Sequence, residues 1–143
     1  MGKKTLRAVM LGAVLATAAA GAAFAHHSFG AEFDQKAPIT LKGAVMQFEW
    51  ANPHSWIHID VVNPQTGKHE EWRVEGGAPS ALLRKGWNRN SLPPGTKIVV
   101  QAFRARDGAT RASAAEISFP DGRQMSLGNA QAEAAIERAK EGK

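Results

Sequence analysis

The chain has 143 residues, with 18 Lys or Arg against 13 Asp or Glu, a formal charge of +5, and no cysteine. The lack of thiols excludes a disulfide framework and any zinc or iron–sulfur site built on Cys. Stability must therefore come from a packed core.

The N-terminus reads as a secretory signal in three zones. Lys3, Lys4 and Arg7 form a positive region, Ala8 to Ala20 is uncharged and mostly Ala, Val, Leu and Met, and Ala23-Phe24-Ala25 is the small-x-small pattern of a cleavage site. Cleavage is expected after Ala25, which starts the mature protein at His26 in the periplasm or outside the cell. The alternative is a retained anchor, but a stable span needs about 20 strongly apolar residues, and this stretch is short and diluted with Ala and Gly. A bacterial lipid anchor would need a Cys at the cleavage point. The signal holds three basic residues and no acidic one, so the mature charge falls to +2, which argues against nucleic acid or anionic membrane as partner. Taking 25 residues from 143 leaves 118, enough for one domain with its own core.

From His26 to Pro38 the chain reads as an arm, with Phe29 and Phe33 among polar neighbours. A β domain is expected over 39–128. Ile39 to Trp50 is rich in apolar and β-branched residues and predicts the first strand, with Gly43 marking a bulge or sharp bend. Asn52-Pro53 breaks it. His54 to Val61 alternates, which puts Ser55, Ile57, Ile59 and Val61 in the core and His54, Trp56, His58 and Asp60 on the other face. A turn at Asn63 to Gly67 leads to a third strand, His69 to Glu75, with Trp72 and Val74 inward and Glu71, Arg73 and Glu75 outward on a solvated face. After Gly76-Gly77, Pro79 suits the first turn of a short helix, Leu82 and Leu83 its apolar side, and Gly86 the position just past its end. Lys97 to Ala105 and Arg111 to Phe119 predict two more strands, joined by a turn at Arg106-Asp107-Gly108, and Gln124 to Leu127 a short returning one. The tail, 129–143, is Ala-rich with Ile136 as its one large apolar residue, and predicts a marginal helix or a disordered end.

The order of three strands, a helix and two strands is that of an OB-like five-stranded barrel, a mainly β fold with one short helix between the third and fourth strands. A small β-sandwich is the alternative, and the place of the helix argues against it. In such barrels the face of the second and third strands and the loops after the first and fourth hold ligands. The corresponding segments are His54 to Val61, His69 to Glu75, Ala51-Asn52-Pro53 and Arg106 to Thr110.

Several short motifs stand together: His26-His27-Ser28-Phe29, Phe33-Asp34, Glu49-Trp50, Asn52-Pro53-His54, and Leu82-Leu83-Arg84 with Gly86-Trp87. In combination, and across nearly the whole mature chain, they resemble a family of small secreted Gram-negative proteins known as a domain of unknown function. The resemblance implies a periplasmic β-barrel-like domain. It carries over no activity and no catalytic residue.

The sequence has no nucleophile elbow, phosphate-binding loop or dinucleotide fingerprint, so no catalysis is indicated. Gly76-Gly77 ahead of a helix offers amides to an anion, but a Gly pair at such a turn more often relieves strain. The five histidines point elsewhere. With cleavage after Ala25, the His26 amine and ring close a chelate, and one further imidazole from His27, His54 or His58 completes the T-shaped nitrogen set that Cu(II) favours. His54 and His58 stand four apart on one strand face, about 13 Å at ~3.3 Å per residue, so they cannot share one ion. Each histidine taken alone is more often a half-covered surface residue than a ligand. Of the four tryptophans, Trp72 faces inward, Trp50 and Trp87 flank turns and suit capping roles, and Trp56 is the candidate open platform. Together with Asn52 and Pro53, Trp56 makes the expected ligand face.

The expectation is a periplasmic, monomeric or weakly associating domain that binds a metal ion, copper favoured, or a small ligand at a His/Trp face. A structural adaptor touching another envelope protein is the second reading, and a copper-dependent redox enzyme using His26 the third.

Overall fold

The computed structural model describes residues 29–142. The signal, its cleavage point, His26 and His27 lie outside them. The chain divides into two compact units, Met1–Ala31 and Glu32–Lys143, and every strand and helix below belongs to the second. The strands are β1 Phe33–Glu49, β2 Trp56–Val62, β3 His69–Glu75, β4 Lys97–Ala105, β5 Arg111–Ser118 and β6 Gln124–Ser126. Helix α1, Pro79–Arg84, lies between β3 and β4, and α2, Ala130–Glu141, closes the chain. The six strands form one sheet rather than the two layers of a sandwich, in the order β3-β2-β1-β4-β5-β6. Neighbours along that order are antiparallel, and β3 also pairs with β5 in parallel through Arg73–Arg111, Val74–Ala112 and Glu75–Ser113.

β1 begins six residues earlier than the expected Ile39, and its 17 residues serve two partners. From Pro38 to Ala44 it pairs with β4, and from Gly43 to Glu49 with β2. The overlap falls on Gly43 and Ala44, and at Gly43 a Cβ would stand 2.4 Å from the Asp60 carbonyl oxygen, so only glycine fits there. A bulge follows: Val45 pairs with Ile59 and Gln47 with His58, leaving Met46 as the extra, exposed residue. The extra residue shifts the phase of the alternation, so that Leu41 and Val45 face the core before it and Phe48 packs on the core after it. A second shift lies opposite β4, where Gln101 pairs with Glu116 and Ala102 with Ala114.

The alternation read for β2 and β3 is seen, with Ser55, Ile57, Ile59, Val61, Trp72 and Val74 all buried. Helix α1 ends as a Schellman turn: Trp87 N–H donates to Leu82 O at 3.0 Å, Gly86 N–H to Leu83 O at 3.1 Å, and Gly86 takes φ +87°. Leu82 is fully buried, but Leu83 is 60% exposed, which corrects the expectation that both plug the core. Consecutive helical residues point about 100° apart, and a helix of under two turns with one side covered cannot bury both. Trp87 is buried, and its indole N–H donates to Ser126 O at 2.7 Å. The tail takes the helical alternative. Asn129 caps α2 by accepting from Ala132 N–H, donates to Ser113 Oγ at 2.8 Å, and so ties the helix start to β5. Among the described residues no helix is long and apolar enough to cross a membrane.

Candidate functional site

The chain between β1 and β2 is laid along the residues that follow β3. Ser55 N–H donates to Gly77 O at 3.0 Å and Gly76 N–H to Ser55 O at 2.9 Å, which continues the β2–β3 ladder past the strand ends. Gly77 N–H donates in turn to Leu127 O at 2.7 Å, and a Cβ on Gly77 would meet the Gly128 carbonyl oxygen at 2.4 Å. With both amides engaged, the Gly pair serves close backbone packing rather than anion capture.

This zipper sets His54 beside Glu75, and His54 Nδ1 is in contact with Glu75 Oε1. The two are covered very differently: the imidazole is half exposed, the carboxylate 7% exposed. Alternation had placed Glu75 on a solvated face, and that is corrected: its side of the strand is as read, but the side chain is covered. Burial pushes the Glu75 carboxyl above its ordinary range; His54 opposes the rise, nearby Glu32 adds to it, and Arg111 opposes it. Beside it, the buried Ser55 hydroxyl has no hydrogen-bond partner among the described residues.

The other histidines are held differently. His58 places Nδ1 2.8 Å from Glu71 Oε1 and Nε2 2.8 Å from Glu49 Oε1, so both ring nitrogens are taken and the ring clamps β1, β2 and β3 together. His69 Nδ1 meets Asp60 Oδ2 at 2.8 Å near the far end of the same strand pair. His54 Nε2 has no such partner among the described residues. Asn52 and Pro53 are exposed beside it, joined by a cis peptide bond. Trp56 is only partly exposed, and the Arg73 guanidinium lies 4.7 Å from its ring centre, so it is not the open platform expected. Trp50 packs edge-on against Phe48 at 5.5 Å. Among the described residues no group of three or more His, Asp or Glu is arranged to hold a metal ion.

Residues 13–114 match the model of a family of unknown function, DUF6152. The chain belongs to that family. No curated protein matches it. The DUF6152 match takes in His54, Glu75 and the Gly76-Gly77 zipper, and stops within β5, so α2 lies beyond it. Sequence reasoning reached His54 in this DUF6152 chain but missed Glu75. The signal available was its position directly before two glycines, at the end of a strand in register with the one His54 precedes.

Replacing His54 with Ala is expected to cost ~1–3 kcal/mol at neutral pH, because it leaves a buried carboxylate without its partner. A carboxyl raised in the folded state holds its proton more tightly there, so the fold loses stability as pH rises through the folded value, and it loses more once His54 no longer opposes the rise. The gap in melting temperature between wild type and His54→Ala should therefore widen as pH rises from ~4 to ~7.5 and the carboxyl gives up its proton. A gap that does not change with pH would show that Glu75 is not its source.

Proposed function

We propose that the protein is an exported, OB-like binding domain that takes a metal ion, copper favoured, at His54. The parallel pairing of β3 with β5 joins the two ends of the series β3-β2-β1-β4-β5 and, with a helix between β3 and β4, supports a closed five-stranded barrel. The signal-like N-terminus supports export to the periplasm.

The observation that carries the metal reading is the His54–Glu75 pair. Metal-binding imidazoles characteristically give their second ring N–H to a carboxylate, which fixes the tautomer and makes the free nitrogen a better donor. His54 has that arrangement, with Nδ1 on a buried carboxylate, Nε2 unpartnered among the described residues, and a half-exposed ring. His58, with both nitrogens engaged, does not. The remaining nitrogens are those assigned from sequence to the His26 amine and ring; they lie outside the described residues and rest on sequence alone. Nitrogen donors of this kind suit Cu(II).

Calorimetric titration of Cu(II) tests this with three proteins: one starting at His26, one with a single Ala ahead of His26, and His54→Ala. Both changes are expected to weaken binding by about tenfold or more, and all binding should weaken as pH falls because protons compete for the nitrogens. Equal affinity in all three would overturn the proposal.

A further inference from the structure

Away from His54, a cavity of about 510 Å³ opens on the outer side of β1 and β4 where β1 crosses at Gly43. That size falls within the ~300–1,000 Å³ of small-molecule pockets. Ala44, Ile98, Val99 and Phe119 line it, and Val62, 51% exposed, extends the apolar surface. Its charged residues are Lys42, Lys97, and Asp60 with His69.

The balance of those charges says what the cavity suits. Asp60 is committed to His69, whose Nδ1 lies 2.9 Å from Oδ1 and 2.8 Å from Oδ2. Lys42 and Lys97 have no ion-pair partner among the described residues. The register pairs Lys42 with Val99 and Ala44 with Lys97, so the two lysines are diagonal neighbours on one face of adjacent strands. Diagonal positions stand ~7–8 Å apart, within reach of one another for long side chains, and like charges so placed repel. One anion held between the two ammonium groups removes that repulsion, while the apolar residues beside them remain uncovered.

We propose that this cavity binds a small amphipathic anion, a free carboxylate with an alkyl body, its head between Lys42 and Lys97 and its chain over Ala44, Val99 and Val62. The site is separate from His54 and does not depend on the metal reading. Alkyl stems of the lysines can themselves cover part of such a chain.

Decanoate is the probe, titrated into the isotope-labelled protein by two-dimensional NMR, with decanol and decyltrimethylammonium as neutral and cationic controls. Decanoate is expected to shift the backbone amides of 42–44 and 97–99 and to bind about tenfold or more tighter than either control. Lys42→Gln with Lys97→Gln should erase that preference while leaving the melting curve in place. Ala44→Trp should block the apolar part, and were that variant to fail to fold, the lysine pair would still decide the matter. No shift at these amides, or a decanoate preference that survives loss of both lysines, would overturn the proposal.

Discussion

Leu82→Ala is expected to destabilise the protein by ~2–5 kcal/mol, the usual cost of emptying a fully buried leucine site, whereas Leu83→Ala should stay within ~0.5 kcal/mol as an exposed substitution. Leu82 is wholly covered and belongs to the same apolar cluster as Trp87, Leu92 and Leu127. The helix that carries it is only six residues long, too short to be stable by itself. Its place depends on Leu82 and on the Schellman turn that leads to Trp87. The loss should thus exceed the contact area of one side chain, because the anchor of the whole segment goes with it. Urea melts of the two variants beside wild type measure the difference directly. Similar midpoints for Leu82→Ala and wild type would mean that α1 contributes nothing to the core.

The second large effect concerns Glu75. Glu75→Gln keeps the shape of the side chain and its capacity to meet His54, but removes the charge that strengthens the imidazole as a donor. Losing such a carboxylate behind a ligand typically lowers metal affinity by ~10–100-fold. Copper affinity is therefore expected to fall by that factor, although Glu75 touches no metal in the proposed site. A structural role alone would predict a different pattern: lower melting temperature with copper affinity unchanged. Gln avoids the desolvation cost of a buried carboxylate, so stability at neutral pH should suffer less than in His54→Ala. Unchanged affinity in Glu75→Gln would remove the carboxylate from the site and leave His54 as an ordinary surface residue.

The sequence by itself determined the element order and most strand faces of this protein. Period-two alternation in β2 and β3 is a local property, and it was legible because the pleat enforces it residue by residue. The Pro79 start and Gly86 stop of α1 were legible for the same reason, since each acts through its own backbone geometry. What covers a face was decided only by the tertiary structure. Glu75 follows the outward phase of β3, yet it is buried because the loop carrying His54 folds over it through the Ser55–Gly76 and Ser55–Gly77 bonds. Leu82 and Leu83 are equivalent in composition, and only the position of the core separates them. The bulge at Met46 resets the phase of β1, and no single-strand pattern reveals it because it exists only relative to the partner strand. The Ala-rich tail is weak as an isolated helix, but Ala132 and Ala135 are buried, and the helix packs on β5, whose Ser113 and Ala115, on the face away from the core residues Ala112 and Ala114, are small enough to let a helix approach closely. Periodicity records which way a side chain leaves the backbone; coverage depends on segments far away in the chain, brought near only when the strands pair.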